Sequence, residues 1–171
     1  FQKVPAPRAN FKGEQAAKPS PKPAQDPLLT QATWELLWLI LHHPEYGDQL
    51  SEIIDYEWIN INSTTGKLLS RLLAELREGM IDSVDQIENI IDSVEERQLL
   101  ADIHSRELSV EEPTKQIVFC LERLRRKFVE AQIKNLEQKI VNSDPDTQIR
   151  LMRERKEILS KVSHPLELEL Q

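Results

Sequence analysis

Between Leu29 and Leu41 nearly the whole circumference of a helix is apolar: Leu29, Trp34, Leu36, Leu37, Trp38, Ile40 and Leu41 leave little polar face. That pattern predicts the central helix of a bundle, with Trp34 and Trp38, one turn apart, in its core. Asp26-Pro27 is a helix start, an acidic N-cap followed by proline at the first helical position. The helix must stop near His42, because Pro44 disfavours helical backbone before it. A short helix is predicted from 44 to about 54, then a turn over 60–63. The next helix starts at 64 or 65 and ends at Glu78 against Gly79, with Leu68, Leu69, Leu72, Leu73 and Leu76 as its apolar stripe. Ser83 and Ser93 are predicted N-caps of two further helices, and Ser93 with Glu96 three residues on forms a capping box.

The pattern changes at Pro113, which opens a helix predicted to run to about Asn142, some 43 Å at about 1.5 Å per residue. Its apolar positions are Ile117, Leu121, Leu124 and Phe128, then Val129, Ile133, Leu136 and Ile140, each set spaced four, three, four. This is a helix–helix seam with a one-residue shift at its middle. Ser143-Asp-Pro-Asp146 is a turn, and a last helix follows from 147 to about 162. The predicted fold is therefore all-α: a small multi-helix bundle over 27–112, then a long projecting αα-hairpin over 113–163. The tail, 164–171, has no predicted role.

Residues 1–26 hold five of the ten prolines and few candidates for a core, so they are predicted to be a Pro/Lys-rich flexible linker. Only four glycines occur in 171 residues, in keeping with helices and short connections. The chain starts at Phe1 without Met, and the expectation is a piece of a longer polypeptide. No apolar run approaches the roughly 20 residues of a membrane span, and no signal-peptide core precedes the bundle; the expected location is cytoplasmic. The net charge of −7 is unevenly spread: +3 over 1–26, −13 over 27–112, +5 over 113–163 and −2 in the tail. The acidic bundle should repel nucleic acid, and no direct nucleic-acid binding is expected from this chain.

Candidate chemistry is sparse. None of the four histidines has Glu three residues before it, which excludes the Glu-x-x-His di-iron signature, and there is no His-Glu-x-x-His. The single cysteine, Cys120, excludes a disulfide framework and a Cys-x-x-Cys knuckle, and its place on the long helix is that of a small core or flank residue. Thr64-Thr-Gly-Lys67 resembles a phosphate loop, but Ile61 stands where the first Gly is needed and Leu68 where Ser or Thr is needed. The acids Glu95-Glu96 and Glu111-Glu112 fall in helix first turns, where the helix dipole favours them. Arg123, Arg125, Arg126 and Lys127 read as a solvated helix flank, since no aromatics interleave for base stacking. The expectation is a non-catalytic interaction module with no cofactor and no metal site.

The order of parts resembles the C-terminal domain of the bacterial replicative primase. A Pro-rich segment, an apolar helix ending Leu36-Leu-Trp-Leu-Ile-Leu-His-His-Pro-Glu45, a small bundle and a closing hairpin with Lys156-Glu157-Ile158-Leu159 in its last helix carry the resemblance, which covers about 26–161. It implies a module without polymerase activity that docks primase onto the N-terminal domains of the hexameric replicative helicase. The hairpin would supply the main contact and the bundle would modulate the helicase. The zinc-binding and catalytic domains of the primase would precede Phe1.

On the last helix, Ile149, Met152 and Val162 are expected to pack inward. Leu151, Ile158 and Leu159 would then face the partner, with Arg150, Arg155 and Lys161 giving orientation and salt sensitivity. By itself the module is expected to be a monomer. The alternatives are a coiled-coil adaptor or dimerisation module, and a histidine phosphotransfer bundle using His42 or His43.

Overall fold

The computed structural model describes residues 27–81, 84–163 and 166; the expected linker, the acidic N-cap at Asp26, the cap at Ser83, His164 and nearly all of the tail lie outside them. Six α-helices follow in order: α1 (Pro27–His42), α2 (Gly47–Ile53), α3 (Thr64–Arg77), α4 (Val94–Ser105), α5 (Pro113–Val141) and α6 (Pro145–Val162). Short 3₁₀ helices cover Pro44–Tyr46, Tyr56–Trp58 and Val84–Ile90, and no strand occurs among the described residues. The fold is all-α.

α1 is the central helix its composition predicts. Every residue from Leu36 to Ile40 is buried, and α1 packs against both α3 and α5. The two tryptophans divide, however. Trp38 is 5% exposed and its indole Nε1 donates to the Arg106 carbonyl at 2.8 Å, so its polar edge is satisfied inside the core. Trp34 is only half-buried, with the Arg106 guanidinium 5.4 Å over its ring. The expected pair of core tryptophans is thus corrected to one. The chain leaving α4 crosses over Trp38 and leaves one side of Trp34 to solvent.

Local signals set the remaining ends. Ser63 Oγ accepts from the Gly66 amide at 3.0 Å and caps α3. A Cβ on Gly66 would stand 2.1 Å from the Asn60 carbonyl oxygen, so the glycine belongs to a tight backbone approach at the helix start. This accounts for Thr64-Thr-Gly-Lys67 without a phosphate. At the other end Gly79 has φ 64°, the Met80 amide reaches the Glu75 carbonyl and the Gly79 amide reaches the Leu76 carbonyl, a Schellman stop. Arg77 donates to the Ser51 and Ile54 carbonyls at the end of α2 and lies 4.6 Å over the Tyr56 ring, fastening α2 to α3.

The predicted helix after Ser83 is 3₁₀ rather than α. Val84, Ile87 and Ile90 recur every three residues, and a three-residue turn puts all of them on the core side, where all are buried. The capping box forms in altered form. Ser93 Oγ accepts from the Glu96 amide at 3.1 Å, whereas the Glu96 carboxylate turns to the Asp92 amide at 2.9 Å and to Arg71 at 3.1 Å. Arg71 also reaches Asp92 at 2.9 Å and the Ile90 carbonyl at 2.6 Å, so the buried Glu96 is paired and hydrogen-bonded.

Gly66→Ala tests the close approach, because helix propensity alone predicts a gain of about 1 kcal/mol. The contact with Asn60 predicts a loss of about 2–3 kcal/mol in urea unfolding. In the same assay Trp38→Ala should cost about 3–5 kcal/mol and Trp34→Ala clearly less.

Candidate protein-binding surface of the hairpin

Pro113 starts α5 and Pro145 starts α6, each at the first turn where a missing amide costs nothing. Asp144 caps α6, its carboxylate accepting from the Thr147 amide at 3.1 Å. Hydrogen bonds from the Thr147 side chain and amide hold that carboxyl below the usual carboxylate range. The cap therefore favours the fold at neutral pH, and its contribution is lost as acidification protonates the group.

The first half of α5 belongs to the bundle: Ile117, Cys120, Leu121 and Leu124 are fully buried members of its core. Beyond Phe128 the same helix serves α6. Leu136 and Leu151 are buried but stand outside the bundle core, and α6 packs along α5. Arg155 crosses to Glu137 with Nε at 3.1 Å and Nη2 at 2.9 Å, and Arg125 donates to the Lys161 carbonyl. Pairing 137 with 155 and 125 with 161 makes α5 and α6 antiparallel. The distal half of the hairpin has its own small interface, separate from the bundle.

That interface corrects the face predicted for α6 in part. Leu151, expected to meet a partner, is 8% exposed, and Ile158 is half-buried in a cleft of 380 Å³ that it shares with Phe128, Gln132 and Leu136. Ile149 and Met152, expected to pack inward, are 51% and 56% exposed. Val162 is half-buried, as its inward position requires. The inward stripe is Leu151, Arg155, Ile158 and Val162, spaced four, three, four like the sets on α5. An arginine in that repeat hid it. Its aliphatic stem occupies an inward position while its head reaches Glu137 at the rim. Of the six residues singled out, Arg150, Leu159 and Lys161 are exposed; Leu151, Arg155 and Ile158 are engaged within the hairpin.

The outward stripe is Ile149, Met152, Lys156 and Leu159, spaced three, four, three, with Leu159 alone of the four expected to face outward. All four are exposed, and at about 100° per residue they fall on one side of α6. Exposed Val141 ends α5 beside the turn, and at about 100° per residue Arg153 flanks the stripe while Arg150 and Lys161, also exposed, lie further round α6. The result is an apolar strip, interrupted by Lys156 and edged by Arg153, on a helix whose Leu151 is buried within the hairpin.

Other candidates resolve into structural roles. Cys120 is buried and its thiol donates to Glu35 Oε2 at 3.3 Å; burial, reinforced by Glu35, pushes its pKa well up and keeps it protonated. His42 stacks on the Trp38 ring at 4.1 Å with Nδ1 2.9 Å from the Trp38 carbonyl, and His43 lies 3.4 Å from Glu45. Arg123 lies 5.1 Å over the Phe119 ring and Lys127 pairs with Glu130. Among the described residues no group of three or more His, Cys, Asp or Glu is placed to hold a metal ion, and no helix is long and apolar enough to cross a membrane. Compared with family models, curated proteins and solved structures, the chain matches none.

The two stripes of α6 predict opposite outcomes for neighbouring residues. Leu151→Ala should cost about 2–3 kcal/mol, as for a buried leucine. Met152→Ala should stay within about 0.5 kcal/mol of the parent. Equal losses in thermal or urea unfolding would put both side chains in the interface.

Proposed function

We propose that this chain is the helicase-binding module of a bacterial replicative primase, docking it on the N-terminal domains of the hexameric helicase. The observation that carries the reading is the exposed strip Ile149, Met152 and Leu159 on a helix whose Leu151 already packs within the hairpin. Contiguous apolar area with a polar rim marks protein-interaction surfaces, and an amphipathic helix face fits a groove between partner helices. Lys156 within the strip and Arg153 beside it suit an acidic rim on the partner and set orientation and association rate. The sequence order supports it too, with a Pro-rich segment first, then the apolar helix ending in His43-Pro-Glu45, then bundle and hairpin. In this reading the acidic bundle faces the helicase rather than DNA, and the module itself performs no chemistry. Catalysis belongs to the parent primase.

Calorimetry of the full chain against the helicase N-terminal domain tests this. Met152→Ala with Leu159→Ala should weaken binding by about 2 kcal/mol or more, since interface energy concentrates in a few apolar anchors. Circular dichroism of the double variant should match the parent, because both side chains are exposed in the free protein. Absence of heat from the folded parent would end the primase reading. A chain that instead sediments as a dimer, losing self-association in the same variant, would favour the coiled-coil adaptor.

A further inference from the structure

A second surface lies on the bundle, with none of its lining on α6. A cleft of 610 Å³ lies between α1 and the end of α4, walled by Trp34, Leu99 and Leu108. Another of 670 Å³ lies between α1 and the start of α5, past Leu39, Val110 and Phe119. Glu35 and Leu108 line both. The walls offer apolar area to solvent: Leu108 and Phe119 are exposed and Trp34 is half-buried. Four carboxylates stand among them. Asp102 pairs with Arg106 and Glu112 with Lys115, whereas Glu35 and Glu111 form no ion pair among the described residues.

Glu35 is half-buried where the two clefts share it, and its hydrogen bonds are all from neutral donors. Oε1 accepts from Gln31 at 2.8 Å, and Oε2 accepts from Gln116 at 2.7 Å and from the Cys120 thiol at 3.3 Å. A carboxylate offers about four acceptor positions, so one is left, on Oε1. The three bonds fix the direction of the group and leave its charge unbalanced. A cation meeting it there is attracted more strongly than in open water, because apolar walls exclude part of the solvent. A single open position suits one N–H of an ammonium better than the two-pronged fork of a guanidinium. Lysine also brings an aliphatic stem that can lie on an apolar wall. We propose that these clefts take a lysine-bearing apolar segment of a partner protein, its ammonium on Glu35 Oε1 and its neighbouring aliphatic side chains against Trp34, Leu108 and Phe119. Charge complementarity selects this occupant. The bundle carries −13 over 27–112, and Glu111 adds a second unbalanced carboxylate beside the start of α5. The surface is separate from the α6 strip, and the proposal does not rest on the primase reading.

The side-chain amides of Gln31 and Gln116, both bonded to Glu35, report on this site in nuclear magnetic resonance spectra of the full chain. The probe is the capped tripeptide leucyl-lysyl-leucine amide at millimolar concentration, with glutamine in place of lysine as its neutral control. The lysine peptide should shift both amides and the Trp34 indole, and the control should bind about tenfold more weakly, as loss of a close charge pair requires. Glu35→Gln should weaken the lysine peptide by a similar factor while circular dichroism stays that of the parent. Leu108→Ala, on the exposed wall and outside the Glu35 hydrogen bonds, should weaken both peptides and decides the matter if Glu35→Gln does not fold. No shift in the folded parent would overturn the proposal, as would equal affinity for the two peptides. Equal shifts at Gln49, among the acids of α2, would mark general attraction to the acidic bundle and overturn it too. Shifts of the same reporters on diluting the chain alone would assign the clefts to a second copy and likewise overturn it.

Discussion

The continuity of α5 is the constraint on which the outer part of the molecule depends. It is one helix of 29 residues, about 43 Å long, and its two halves answer to different neighbours. Ile117, Cys120, Leu121 and Leu124 are fully buried in the core that α1 and α3 organise. Past Phe128 only Leu136 is fully covered, and the helix is held instead by α6 along one side. A helix that is strongly anchored at one end and lightly covered at the other is a rigid arm. The position of every residue on α6 is set by how well that arm keeps its direction through 125–128.

Two devices near the base keep the arm seated. Arg125 reaches the Lys161 carbonyl at the end of α6, where the helix dipole favours a cation. Leu166, beyond α6, is half-buried against the bundle core, so the chain returns to the bundle after the hairpin. Further out, Arg155 and Glu137 are partly exposed and their pair is screened; it fixes register more than it stabilises. The hairpin is thus firm at the base, with its apolar strip running along α6 from Ile149 near the turn to Leu159 near the base, a distribution suited to presenting a surface.

Much of this was legible in the sequence because the chain punctuates its helices. Pro27, Pro44, Ser63, Gly79, Ser93, Pro113 and Pro145 each mark an end the structure uses. The near-continuous apolar character of α1 gave its central place, and the four-three-four sets gave α5 as a seam helix. Three features were hidden, each for a different reason. Val84, Ile87 and Ile90 obey a period of three, which a reader looking for 3.6 passes over. The inward stripe of α6 has Arg155 where an apolar residue was sought, so Ile149 and Met152 were placed inside and Leu151 outside. Trp34 was misplaced because burial depends on what crosses the helix, and the path of 106–112 is not written in the composition of α1.

The partner-facing role of α6 is the central claim, and amide hydrogen exchange of the full chain with and without the helicase N-terminal domain tests it most directly. The account predicts slowed exchange concentrated in 145–162 and the adjoining turn, with α3 amides in the bundle core unchanged. Slowed exchange confined to 27–112, with α6 unaltered, would contradict it.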